Sequence, residues 1–446
     1  MTELFGTDGI RGIANEEPIT PETGLRLGRA IIVFCRRHGK AAQVVIGRDT
    51  RISGEMLENA IVSGILSAGG AVYRAGEIPT PAVAYLVKTL GMGAGIVISA
   101  SHNPYEYNGF KVFSQEGYKL SKEEEAEIEE LIRSEDQSEI KGSPGRVETV
   151  YDAMEQYTSF LLKGFPEGLN VQDMKMVLDC ANGATFKVAP ALFRRLGAKA
   201  ETLFVNPDGT NINENCGSQY PETLSRKVLE TGADVGLAFD GDGDRLIAVD
   251  EKGECLTGDQ LLTIYAKMLL ESGELRRNIV VSTVMSNMGL RIALKGFGIE
   301  QVAAGVGDRY VMEEMRARKA NLGGEDSGHI IFRDYHSTGD GLLSALQLVR
   351  AIKTFGQPLS TLSELMTPLP QTLLNVPVNK KTDIFEVPAL IQEIERVESE
   401  LEEKGRVLVR FSGTEPVCRV MVEGEDREKI EAYAGQIANV IQRELT

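Results

Sequence analysis

Apolar positions along the chain fall into short β-branched runs and longer helical stripes, and their order repeats. Residues 43–47 form an apolar run that predicts a buried strand. A polar loop with Arg48, Asp49 and Arg51 follows, then a helical stripe over 55–68 stopped at Gly69 and Gly70, then a second strand over 71–75. The same succession returns at 174–179, 188–196 and 200–205, with Gly197 as the stop. It returns again at 278–283, 290–295 and 300–304, with Gly298 in that place. Strand, loop, helix, glycine, strand is the pattern of a βαβ unit. Three copies predict an α/β fold of three similar domains, each with a mainly parallel, mixed sheet.

The rest of the chain supplies boundaries. A charged helix is predicted over 121–138, a turn-rich stretch over 141–145 and a helix over 151–163. Residues 250–258 close the second domain, and Pro368 and Pro370 mark a linker after the third. The tail is different: strands over 406–410 and 417–422 enclose a loop, and a helix runs over 425–445, which predicts a smaller C-terminal α+β domain. The domains expected are 1–150, 151–253, 254–367 and 368–446.

One apolar run ends in chemistry. Ile96, Val97 and Ile98 read as a strand covered on both faces, followed by Ser99, Ala100, Ser101, His102, Asn103 and Pro104. Open α/β sheets place their ligands at the carboxyl ends of such strands. Ser, Asn and Pro are also ordinary turn residues, so the stretch gains meaning only from other loops.

The N-terminal loop is glycine-rich around Arg11, which suits a phosphate clamp or a solvated turn equally. Asp240, Asp242 and Asp244 alternate with glycines, so in an extended loop the three carboxylates point one way. Crowded like charges call for a cation, and hard oxygen ligands suit Mg²⁺. A calcium loop of the EF-hand kind begins with the same spacing, but its sixth position needs glycine and here is Arg245. Arg245 stands ready for an anion. Glu325 and Ser327, two residues apart, suit a polyhydroxylated ligand, and His329 titrates near neutrality. Arg410 and Arg419 flank Ser412, Gly413 and Thr414, whose hydroxyls and amides predict an anion nest.

Composition narrows the class. The chain has 446 residues, 42% hydrophobic and 25% charged, ample for large cores. A formal charge of −17 argues against a nucleic-acid or anionic-membrane partner, while local arginines still allow a phosphorylated substrate. Five scattered cysteines without a CxxC pair exclude a zinc site or disulfide framework. With no basic, apolar leader and no run long enough to span a bilayer, a cytoplasmic protein is expected.

In order and spacing, the loops at Ser101, Asp240–Arg245, Glu325–His329 and Arg410–Thr414 resemble those of the α-D-phosphohexomutase superfamily. Residues 5–15 and 206–218 are most similar to its phosphoglucosamine mutases. The resemblance implies four domains around a central cleft, one loop from each. It implies transfer of a phosphoryl group between O6 and O1 of a hexose through phospho-Ser101, with a hexose 1,6-bisphosphate as intermediate and activator. The substrate implied is glucosamine 6-phosphate. Mg²⁺ would be held by Asp240, Asp242, Asp244 and the phosphate on Ser101. Glu325 and Ser327 would grip ring hydroxyls. Arg245, Arg410, Ser412, Gly413, Thr414 and Arg419 would bind substrate phosphate. Lys111 and His329 are the candidates for taking the hydroxyl proton; Lys111 needs a lowered pKa, which Arg11 would supply, and His102 would support the phosphoserine. Asp326 stands where bacterial phosphoglucosamine mutases usually carry glutamine, which keeps glucose and mannose phosphates open as substrates. A Mg²⁺-dependent sugar phosphatase and a non-catalytic sugar-phosphate sensor are the remaining alternatives. Family analogy alone points to a homodimer.

Overall fold

The computed structural model describes residues 3–6, 8–134, 143–379, 386–411 and 416–445. The chain forms two compact units, residues 1–285 with 299–365, and residues 286–298 with 366–446.

In the first unit the predicted repeat is a repeat of topology. The first sheet runs Ile10–Ile13, Tyr107–Ser114, Ala94–Ile98, Gln43–Arg48, Ala71–Glu77, Val147–Thr149. The second runs Cys255–Leu256, Leu246–Asp250, Val235–Phe239, Lys175–Asp179, Lys199–Leu203. The third runs Glu300–Ala304, Ile279–Thr283, Leu322–Gly324, Ile330–Phe332. In each, three parallel strands stand in the same spatial order, and the last of them turns back into an antiparallel neighbour. The three chemistry-bearing loops occupy one equivalent position, the turn between those last two strands. Ala94–Ile98, Val235–Phe239 and Ile279–Thr283 are buried at every residue, as strands with both faces covered must be.

Several helices have no amphipathic stripe to announce them. Gly341–Phe355 is buried from Gly341 through Ile352, so its sequence lacks the polar face that marks a surface helix. The charged helix predicted over 121–138 is seen as Lys122–Arg133, started by a capping box between Ser121 and Glu124. The remainder of that prediction, from 135, lies outside the described residues. Among the described residues no helix is long and apolar enough to cross a membrane.

The second unit is a three-stranded antiparallel sheet in the order Gln371–Pro377, Val417–Gly424, Gly405–Phe411, with helices Pro388–Leu401 and Arg427–Leu445. Leu390, Val397, Val420, Ile430 and Ile437 are among its core residues. The helix predicted in the third repeat is seen as Met288–Gly296 and groups with this unit. There the Met288 amide donates to Glu423 Oε1 at 2.8 Å, and Asn287 Nδ2 donates to the Leu369 carbonyl at 3.0 Å.

Candidate active site

Ser101 follows the strand Ala94–Ile98 with φ of 54°, a left-handed conformation that a residue with a Cβ adopts only when held there. A network of side chains and amides holds it. Ser101 N–H donates to Ser99 Oγ at 2.9 Å, and Ser99 Oγ donates to Asp49 Oδ2 at 2.6 Å. Asp49 also accepts from Arg51 Nε at 2.8 Å. Arg51 then spends its remaining donors on the loop itself: the carbonyls of Ser101 at 2.9 Å, Asn103 at 2.8 Å and Tyr107 at 3.0 Å, and that of Pro104. Asn213 Nδ2, from the second sheet's domain, donates to the Ser101 and Asn103 carbonyls at 2.9 and 3.0 Å. A Cβ on Gly241 would lie 2.5 Å from the Ser101 carbonyl, so the two loops approach this closely only because that residue is glycine.

Sequence reasoning noted Arg51 only as a polar loop residue. Its signal is burial, and burial is tertiary: both Arg51 and Asp49 have fully buried side chains. Arg51→Met is expected to lower stability by about 3–5 kcal/mol, because it leaves Asp49 charged and unpaired in the interior. Urea unfolding of the two proteins measures this.

Asp240, Asp242 and Asp244 lie in the turn after Val235–Phe239 and are buried together, with one ligand atom from each within 4.8 Å of the others. Ser101 Oγ donates to Asp240 Oδ2 at 2.6 Å. Burial and the repulsion of Asp244 and Asp242 hold the Asp240 carboxyl well above the usual carboxylate range. Among the described residues Asp242 Oδ1 and Asp244 Oδ1 are buried without a hydrogen-bond partner. Orphaned, converging carboxylate oxygens are the donor set of a hard divalent cation, so the residues fit Mg²⁺.

Lys111 Nζ sits among the same carboxylates, 2.7 Å from Asp242 Oδ2, 3.3 Å from Asp244 Oδ2 and 3.2 Å from Asp8 Oδ2. The lowered pKa expected for base duty is not found. Burial opposes the charge, but Asp242, Asp244 and Asp8 outweigh it and hold Lys111 well above the usual lysine range, with Arg11 only a minor opposing influence. These carboxylates favour the charged form of Lys111, which speaks against a proton acceptor at this position.

A cavity of about 450 Å³ opens beside this cluster, lined by Arg11, His102, Arg245, Glu325 and His329 among others. His102 Nδ1 is 3.4 Å from Ser101 Oγ. Burial, then Arg245 and Arg11, push its pKa down to about 4, so the ring is neutral at neutral pH. His329 behaves oppositely. Burial opposes its charge, but Asp244 at 3.7 Å and Asp308 at 3.4 Å, with Glu325, push it up to about 9. The Gly339 amide aims at Nε2 from 3.2 Å and favours the neutral ring, but one amide dipole is outweighed by full charges. The neighbouring carboxylates thus favour the charged form of His329, while His102 keeps a neutral ring with an acceptor nitrogen.

In the sugar loop, Glu325 Oε1 accepts from the Gly307 amide at 3.1 Å, and Ser327 Oγ is buried without a partner. Asp326 turns away. Its Oδ1 accepts from Asp259 N–H at 3.1 Å and its carbonyl from Gly258 N–H at 3.0 Å, at the start of the helix Gly258–Glu271. Its carboxylate complements the helix N-terminus. Asp326→Gln is therefore expected to leave the order of kcat/KM among hexose phosphates unchanged, with stability lower by about 0.5–1 kcal/mol; a substrate panel and a thermal melt check both.

In the second unit Arg410 and Arg419 are direct cross-strand partners on Gly405–Phe411 and Val417–Gly424, so both side chains stand on one face of the sheet. Ser412, Gly413 and Thr414 lie outside the described residues.

Four segments match the phosphoglucomutase/phosphomannomutase family: α/β/α domain I over residues 2–139, domain II over 155–253, domain III over 257–369 and the C-terminal domain over 373–440. A phosphoglucosamine mutase of Syntrophus aciditrophicus is 52% identical over 100% of both chains. A crystal structure of a phosphoglucomutase/phosphomannomutase family protein from Burkholderia thailandensis is 25% identical, covers 99% of this chain and 97% of its own, and superposes with a TM-score of 0.82. The N-acetylphosphoglucosamine mutase of Aspergillus fumigatus, solved with GlcNAc-6P and magnesium, shares the fold at a TM-score of 0.70 and 18% identity, over 99% of this chain and 96% of its own (similarity at that level speaks to fold alone). The chain belongs to the phosphoglucomutase/phosphomannomutase family and, within it, to the phosphoglucosamine mutases.

Proposed function

We propose that this protein interconverts glucosamine 6-phosphate and glucosamine 1-phosphate. The observation that carries the reading is the hydrogen bond between Ser101 Oγ and Asp240 inside the buried carboxylate triad, beside a cleft lined with arginine and histidine. A serine in that setting is suited to hold a phosphoryl group and release it.

The resting enzyme carries phosphate on Ser101. The free hydroxyl of the bound sugar phosphate attacks phosphorus; the new O–P bond forms as the Ser101 Oγ–P bond breaks, and the hydroxyl proton passes by way of His102 to the departing Ser101 Oγ. The product is the 1,6-bisphosphate, which returns its other phosphoryl group to Ser101 after turning over in the cleft. His102, neutral and 3.4 Å from Ser101 Oγ, is placed to take a proton there. Lys111, Arg11 and Arg245 supply fixed positive charge. Glu325 and Ser327 offer an acceptor and an uncommitted hydroxyl to the sugar ring. Mg²⁺ held by Asp240, Asp242 and Asp244 would supply a Lewis acid that offsets charge on the transferring group. Arg410 and Arg419, with the loop between them, would hold the unreacting phosphate.

A charged sugar phosphate does not cross membranes, which supports a cytoplasmic location. The homodimer rests on family analogy.

The test is kcat/KM on the 6-phosphates of glucosamine, glucose, mannose and N-acetylglucosamine, with inorganic phosphate followed alongside. Glucosamine is expected to rank first, with negligible phosphate release. Preference for glucose or mannose would move the assignment to phosphoglucomutase or phosphomannomutase, and release matching turnover would make the protein a phosphatase.

A further inference from the structure

Six side chains close a ring of alternating charge around the cleft. Lys111 Nζ lies 3.2 Å from Asp8 Oδ2, and Asp8 Oδ1 pairs with Lys119. Lys119 Nζ is 2.6 Å from Asp308 Oδ2, which is 3.4 Å from His329 Nε2. His329 Nδ1 is 3.7 Å from Asp244 Oδ1, and Asp244 Oδ2 is 3.3 Å from Lys111 Nζ, where the ring began. Asp8 also pairs with Arg11.

The members come from distant parts of the chain: the N-terminal loop, the strand Tyr107–Ser114 and the residues beyond it, the turn after Val235–Phe239, the start of the helix Asp308–Arg318, and the sugar loop. Every member is largely buried, Lys119 and Asp308 with 13% and 11% of their side-chain surface exposed. Lys119 and Asp308 line the same cavity as Arg11, His102, Arg245 and His329. Together they form the link in the ring between the Arg11 side and the His329 side that does not run through the carboxylate triad.

We propose that Lys119 and Asp308 are positioning residues for phosphoryl transfer: Lys119 fixes Arg11 through Asp8, and Asp308 fixes His329, so that both side chains face the phosphate in one geometry. This rests on the mutase reading above. A long arginine and a ring free to rotate have many orientations; an ion pair at the far end of each removes that freedom before substrate arrives. Such preorganisation acts on turnover more than on affinity, since a displacement of about 1 Å in a group facing the reacting atoms lowers the rate by about 100-fold. A pair that served only folding would act on stability and leave turnover alone.

The test compares wild type, Lys119→Met, Lys119→Arg and Asp308→Asn with glucosamine 6-phosphate as substrate, measuring kcat, KM and melting temperature. For Lys119→Met the expected result is a fall in kcat of about 10- to 100-fold with KM little changed. Lys119→Arg, which keeps the charge, is expected to recover most of the loss. Asp308→Asn should fall by a similar factor, and the double variant Lys119→Met with Asp308→Asn should be no worse than either single change, as for two ends of one interaction. Wild-type kcat in Lys119→Met, or a loss of melting temperature alone, overturns the proposal. Should Lys119→Met fail to fold, Asp308→Asn decides by the same criteria. Absence of turnover by wild type on every hexose phosphate would overturn the mutase reading and this proposal with it; an active wild type with an unaffected Lys119→Met overturns this proposal alone.

Discussion

Ser101→Ala is expected to abolish isomerisation, lowering kcat by about 10⁴-fold or more, because the proposed carrier of the phosphoryl group between the two sugar oxygens is gone. Positioning and binding by the other residues do not compensate, since the reaction has no covalent carrier without this oxygen. Dephosphorylated wild type incubated with glucosamine 1,6-bisphosphate should gain the mass of one phosphoryl group, and the alanine variant none. Ser101 has φ of 54°, so alanine keeps the backbone strain while glycine relieves it. Ser101→Gly should therefore be as inactive as Ser101→Ala yet melt at an equal or higher temperature, a difference of about 1 kcal/mol in stability. An active Ser101→Gly would assign the phosphoryl carrier elsewhere.

Removal of divalent metal by EDTA is expected to lower turnover by about 10³-fold, and excess Mg²⁺ to restore it. Of the three buried carboxylates, Asp242 and Asp244 face Lys111 at 2.7 and 3.3 Å, with Arg245 and His329 beside Asp244, and among the described residues two of the triad's oxygens have no hydrogen-bond partner. Even so, burial with mutual repulsion holds Asp240 well above the usual carboxylate range. A divalent ion relieves that repulsion, and its loss removes several kcal/mol of charge stabilisation from the transferring group. The same ion should stabilise the fold. At a Mg²⁺ concentration 100 times its Kd, the chelated protein should gain about 2.7 kcal/mol, read as a rise in melting temperature. The Asp240→Asn/Asp242→Asn double variant keeps the side-chain volume but loses the charge, and should show no such rise. A melting temperature indifferent to Mg²⁺ in wild type would remove the metal from this site.

Local chemistry is what the chain announces by itself. The βαβ succession was legible because parallel strands must be continuously apolar and their helices end at glycine, signals confined to a few neighbouring residues. Asp240, Asp242 and Asp244 were legible for the same reason: like charges at alternating positions have few explanations, and the loop that carries them is contiguous. Ser101 was legible as the polar end of an apolar strand. Which groups surround these was decided by the tertiary structure, because burial and pairing depend on segments far apart in sequence. Arg51 reads only as a polar loop residue until its guanidinium closes on four carbonyls of the Ser101 loop. Asp326 sits beside the sugar-loop residues in sequence, but points to the start of the helix Gly258–Glu271. Lys111 reads as a candidate base, but it lies beside Asp242, Asp244 and Asp8, carboxylates from other parts of the chain that favour its charged form. Composition and spacing name the reacting groups; the field in which they react is a sum over distance, and only the folded chain sets those distances.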